Sequence, residues 1–195
     1  MSAPAADWSP HPTPTPPHAS LGHDGRVRVP WDPTDPRIRI AADLPETDLG
    51  LAERFVLWCG DHWRFRPGIG WMRYDGVRWV WDDHGHHTRT ELQQVIRAIS
   101  ALEAESLSAF SGDGRRRSAR DLRRNWARTC ETPRRITAAL ECAETLPGMR
   151  IEEHAWDPEP LAINTLSGYL DLRTGHLHPH QPRHLCTAVV NAPYD

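Results

Sequence analysis

The stretch Gly70-Trp71-Met72-Arg73-Tyr74-Asp75-Gly76-Val77-Arg78-Trp79-Val80-Trp81 decides the fold class. Large apolar residues alternate with polar ones on both sides of Asp75-Gly76. An Asp-Gly pair between alternating runs is a strong hairpin signal, because a two-residue turn needs positive φ at its centre. A two-residue turn makes Trp71, Arg73, Arg78 and Trp79 cross-strand neighbours. Just upstream, Trp63-Arg64-Phe65-Arg66 has the same period and is broken by Pro67-Gly68. The middle of the chain is therefore an aromatic, antiparallel β-unit.

Outward from this hairpin the period changes to that of a helix. Leu49, Ala52, Phe55, Val56 and Cys59 recur at helical spacing behind Thr47 or Asp48 as cap, with Gly60 as the stop. On the other side, Asp82 to Thr88 is a polar loop, and Thr90-x-x-Gln93 has the form of a capping box. Leu92, Val95, Ile96, Ile99 and Leu102 then mark a helix over about 90–109, closed by Ser111-Gly112-Asp113-Gly114. A second helix, about 116–129, is expected to bury Ala119, Leu122 and Trp126. A third opens with Thr132 as cap and Pro133 at the first helical position, burying Ile136, Leu140 and Ala143. Strand-like pieces return at Leu161–Ile163, Tyr169–Leu172, His176–His178 and Thr187–Val190. Helix, hairpin, three helices and then short strands is an α+β order, not a β-α-β alternation.

The N-terminal end differs in kind. Residues 1–28 hold six prolines and read as a disordered, Pro-rich tail. Residues 29–47, with four more prolines, read as an irregular lead-in draped on the domain through Trp31 and Ile38. The folded domain is expected over 48–195.

Composition excludes several functions. The chain has 195 residues and a net charge of −3, so it is no uniformly basic nucleic-acid coat. All 23 basic residues are arginine. Without lysine there is no G-x-x-x-x-G-K-[ST] phosphate loop and no Schiff-base lysine. The cysteines at 59, 130, 142 and 186 form no C-x-x-C pair, which argues against a zinc ribbon. No apolar run is long enough to span a membrane, and no secretory pattern opens the chain. The expected setting is a reducing cytoplasm with free thiols.

Residues 114–135 carry nine arginines against two acids, a net of +7 inside a chain of net −3. Arg115, Arg116, Arg117, Arg120, Arg123, Arg124, Arg128, Arg134 and Arg135 are the candidate nucleic-acid contacts, since guanidinium forks match phosphate oxygens. The competing reading is a solvated face paired to the acidic remainder. A helix-turn-helix over 116–143 is a further alternative, opposed by Glu141 and Glu144 on its second helix. Asp82, Asp83, His84, His86 and His87 form one His-rich cluster, and His176, His178, His180, His184 and Cys186 another. Both are expected to be exposed histidines rather than metal sites. Trp71, Trp79 and Trp81 are the first choices for base stacking, against a core role. No D-x-D pair and no G-x-S-x-G motif is present, so no catalytic residues, metal or cofactor are assigned.

The C-terminal third carries a family signature. Leu161-Ala162-Ile163-Asn164-Thr165, then Ser167-Gly168-Tyr169-Leu170-Asp171-Leu172-Arg173-Thr174-Gly175, then Leu177, Pro179-His180 and Pro182, resembles the end of the N-terminal domain of phage and plasmid primase–helicases, poxvirus relatives included. Gly70-Trp71, Tyr74-Asp75-Gly76 with Trp79, Leu146-Pro147-Gly148 and the closing Ala192-Pro193-Tyr194-Asp195 are similar too. Ser167 stands where that family usually has Asn. The resemblance covers roughly 48–195 and implies an accessory module of DNA replication, preceding a superfamily-three helicase domain. It implies DNA, single-stranded or primed template, and a helicase or primase domain in cis or trans as partners. The full-length proteins it resembles are ATP-dependent primase–helicases; this chain alone is expected not to be an enzyme. The alternatives are a protein-interaction or homo-oligomerisation module, and a fragment without activity of its own.

Overall fold

The computed structural model describes residues 32–109, 115–192 and 194, and no side chains at 108, 109 and 115–118. The Pro-rich segment 1–28, Trp31, the Ser111–Gly114 stop, and Pro193 and Asp195 of the closing signature lie outside the described residues. From Pro33 onward the chain forms one compact unit.

Its helices are α1 (Arg37–Asp43), α2 (Asp48–Cys59), α3 (His86–Ala98), α4 (Ala104–Ala109), α5 (Arg115–Cys130) and α6 (Pro133–Ala143). A π-helical turn, Ile99–Glu103, joins α3 to α4. Three strands, β1 (Trp63–Arg66), β2 (Gly70–Tyr74) and β3 (Trp79–Trp81), form one antiparallel sheet in sequence order. Three more, β4 (Ala162–Asn164), β5 (Tyr169–Asp171) and β6 (His176–His178), form a second. The expected α+β architecture is present. No helix among the described residues is long and apolar enough to cross a membrane.

The helical layer closes around Leu51, Ala52 and Phe55 of α2, Leu92, Val95 and Ile96 of α3, and Ile136, Ala139 and Leu140 of α6, all buried. Thr47 caps α2 as expected, its hydroxyl accepting the Gly50 N–H at 3.0 Å. The inward face of α2 is shifted from the expected one. Leu49 is exposed, while Leu51, Trp58 and even Arg54 are buried. The stretch read as an irregular lead-in holds α1, with Ile38 and Ala41 buried.

Three local details depart from the sequence expectations. First, the hairpin loop has four residues, not two. The Asp75 N–H donates to the Arg78 carbonyl at 2.9 Å, and Asp75 Oδ1 accepts the Val77 and Arg78 N–H groups at 2.8 Å each. Tyr74 therefore pairs with Trp79 and Arg73 with Val80, so the two arginines are not opposed. A slip of two keeps every side chain on its own face. Second, α3 begins at His86, not Thr90. Buried Asp82 supplies the cap: its carboxylate accepts the N–H groups of His87 at 3.1 Å and Thr88 at 2.8 Å. The Thr90 hydroxyl instead bonds back to the His86 carbonyl. Third, Thr187–Val190 forms no strand; only Val190 bridges, to Thr165.

The remaining C-terminal segments pad the first sheet. Trp79 packs edge-on to Trp156 at 5.8 Å, and its indole N–H donates to the Pro182 carbonyl at 2.8 Å. Asn164 donates to the Val77 carbonyl at 2.9 Å and so ties β4 to the hairpin loop. In the signature turn, a Cβ on Gly168 would lie 2.4 Å from the His178 carbonyl oxygen, so only glycine lets β5 and β6 close there.

Candidate nucleic-acid interface

The arginine-rich segment forms α5, the two-residue turn after it (Glu131 and Thr132) and the first turn of α6. Its inward face is Arg123, Trp126, Ala127 and Cys130. Ala119 is exposed and Leu122 is 61 % exposed, so the expected buried trio keeps only Trp126. The physical reason is a buried charge cluster. Glu103, on the π-helical turn and 1 % exposed, receives Arg54 through Nε at 3.1 Å and Arg123 through an NH group at 2.6 Å. Arg54, fully buried, spends its other donors on the carbonyls of Leu44, Pro45 and Gly50, each at 2.9 Å. Arg123 also donates to Glu46 at 2.8 Å and to the Ala42 carbonyl at 2.9 Å. The Arg54 guanidinium lies over the Trp126 ring at 4.8 Å.

This cluster needs close backbone approach. A Cβ on Gly50 would sit 2.0 Å from the Pro45 carbonyl oxygen, so glycine there brings both acceptors to one guanidinium. Burial pushes the Glu103 carboxyl up and the Arg54 guanidinium down from their ordinary values, while each favours the other's charged form. Arg123 is thus a brace that fixes α5 on α1, the α1–α2 connection and the π turn. It is withdrawn from the solvent-facing set.

The other candidates divide into three groups. Arg120 and Arg124 are half-buried and share one carboxylate, Glu105, Arg120 at 2.8 Å. Two guanidiniums on one carboxylate leave a positive surplus. Arg135 is a second brace, with Nε 3.2 Å from Asp48 and an NH group 3.1 Å from the Thr129 hydroxyl. Arg128 and Arg134 are exposed and make no ion pair among the described residues; Arg128 touches only Asn125, at 3.4 Å. Arg115, Arg116 and Arg117 lie on the first turn of α5, with side chains outside the described residues. The turn to α6 adds backbone donors. Thr132 makes no side-chain cap; its carbonyl accepts the Ile136 N–H at 3.1 Å, and its hydroxyl takes none of the first-turn N–H groups.

The tryptophans and histidines fall elsewhere. Trp71 and Trp79 are core residues, packed on Phe55 and Trp156. Trp81 alone of the three is exposed, at 55 %. His180 bonds the Thr165 carbonyl at 2.8 Å, and His184 stacks on Tyr169 at 4.0 Å. Among the described residues, no three His, Cys, Asp or Glu side chains come together as a metal site.

The buried cluster is the feature that sequence reading missed. The signal was present: Arg54 falls between Leu51, Phe55 and Trp58 on one helical stripe, and Arg123 stands with Trp126, Ala127 and Cys130 on another. An arginine inside an apolar stripe implies a buried carboxylate partner.

Comparison with known proteins places the chain. No curated protein matches it. The family model described as D5 N terminal like matches residues 52–195, from within α2 to the end of the chain. That domain precedes the helicase domain in primase–helicase proteins. The match spans most of α2, helices α3 to α6, both sheets and the signature turn at Gly168, and the chain belongs to the D5 N terminal like family.

Proposed function

We propose that this domain is a non-catalytic accessory module of DNA replication that contacts the phosphate backbone through the outer side of α5 and the start of α6. The observation that carries this reading is the pair Arg128 and Arg134, exposed and without a carboxylate partner among the described residues. Arg120 and Arg124 add to it, sharing one acid between them. Phosphate fits this surface because guanidinium forks and free helix N–H groups both favour anions. Contacts of this kind are electrostatic and tolerant of sequence. The module would then hold template beside a helicase or primase domain, supplied in cis or in trans.

Fluorescence anisotropy of labelled single- and double-stranded oligonucleotides tests it, with wild type beside Arg120→Ala/Arg124→Ala and Arg128→Ala/Arg134→Ala. Binding that weakens with each pair of substitutions supports the reading. Absence of binding to either strand form at low salt moves the arginines to a protein-docking or self-association role.

A further inference from the structure

One helix carries charges of both signs at the ends where its dipole disfavours them. α6 opens with Arg134 and Arg135 and closes with Glu141 and, at its C-cap, Glu144. A helix favours acids at its N-terminus and bases at its C-terminus. The arginines belong to the surface above; the two glutamates face a different one.

They line a groove of about 370 Å³ between α6 and the first sheet. Its floor is apolar: Phe65, Trp71 and Leu140. At its rim stand Trp81, 55 % exposed, and Ile69, 48 % exposed. The side chains of Glu141 and Glu144 have no hydrogen bond or ion pair among the described residues, and burial together with the Glu141 charge raises the Glu144 carboxyl. On the opposite wall the Asp82 carboxylate is saturated by Thr88 and His87, and Arg89 donates to the Thr137 hydroxyl at 3.1 Å. His84 there lies 3.4 Å from Asp83. One arginine against three carboxylates leaves the groove negative.

We propose that this groove docks a peptide segment of a partner protein by taking up an arginine side chain next to an apolar one. A guanidinium stacks on an exposed indole and donates in its plane to a carboxylate, so Trp81 and the two glutamates together match arginine. The adjoining apolar side chain covers Ile69 and the Phe65–Leu140 floor. A nucleic-acid strand is a poor occupant, because its phosphates would meet unpaired carboxylates. The inference does not depend on DNA binding by α5. A partner docked at the far end of α6 leaves Arg128 and Arg134 open.

The test uses the full chain and a fluorescein-labelled hexapeptide of alternating leucine and arginine, beside the same peptide with citrulline for arginine. Anisotropy is read at low salt, and circular dichroism melts check the variants. The expected result is binding of the arginine peptide that falls at least tenfold with citrulline, with Glu141→Gln/Glu144→Gln and with Trp81→Leu. Arg128→Ala/Arg134→Ala should leave it unchanged. Equal binding by wild type and the folded Gln variant, or no binding by wild type, overturns the proposal. So does single-stranded oligonucleotide binding that is lost with Trp81→Leu but kept in Arg128→Ala/Arg134→Ala, since the groove would then be a base site.

Discussion

Arg123 and Arg128 are five residues apart on one helix and do opposite work. Arg123 holds Glu103 in a site that excludes water; Arg128 ends in solvent. Removing one member of a buried charge cluster leaves the others uncompensated, at a cost of about 3–5 kcal/mol. Glu103→Gln and Arg123→Ala are therefore expected to lower stability by amounts of that order in urea unfolding. Arg128→Ala is expected to stay within about 0.5 kcal/mol, as for an ordinary surface change. Equal losses at both positions would remove the distinction between brace and contact. Asp82 is the second residue whose charge matters to the fold. Burial raises its carboxyl, but hydrogen bonds from Thr88 and His87 outweigh that and hold it below its ordinary value. A carboxylate held low in the folded state stabilises fully above the ordinary aspartate value of about 3.9 and loses that contribution as pH falls through the folded value. Asp82→Ala should cost about 1–2 kcal/mol at neutral pH, the usual worth of a helix cap. The gap to wild type should narrow on acidification below pH ~4, and a gap that widens would contradict the assignment.

At the scale of elements, period and punctuation were legible and register was not. The aromatic alternation around Asp75-Gly76, the Thr47 cap, Pro133 at the head of α6 and three of the four short C-terminal strands stand where their residues imply. The hairpin gained two loop residues because Asp75 makes its own side-chain turn to Val77 and Arg78. Helix α3 started four residues early because its cap comes from Asp82, ahead of the helix, and no local pattern announces that. The α5 face rotated because a long-range partner, Glu103, outweighed the apolar count of Ala119, Leu122 and Trp126. Periodicity reads apolar stripes well and buried ion pairs poorly. The exposed Leu122 gives a check at this scale. Leu122→Gln is expected to change stability by less than about 0.5 kcal/mol, whereas a buried leucine at that position would imply a loss of about 2 kcal/mol or more. Thermal melts of Leu122→Gln beside Trp126→Leu decide which face is inward.

For the whole molecule, the net charge of −3 conceals a separation that organises its surfaces. A +7 segment supplies two braces, Arg123 and Arg135, that fix the helices on each other, and leaves Arg128 and Arg134 exposed without an ion pair among the described residues. Acids at the other end of α6 face the aromatic sheet. The candidate surface was legible in the sequence as a density of arginine. Which arginines face out was not, since that depends on Glu103, Glu105 and Asp48, drawn from distant parts of the chain. The measurement that tests the central claim most directly is the salt dependence of duplex binding by wild type and by Arg120→Ala/Arg124→Ala/Arg128→Ala/Arg134→Ala. Four phosphate contacts give a slope of about −3.6 in log K against log salt, and each arginine removed reduces its magnitude by about 0.9. The account predicts a steep slope for wild type that flattens toward zero in the folded quadruple variant. Binding that does not respond to salt, or an unchanged slope in that variant, would contradict it.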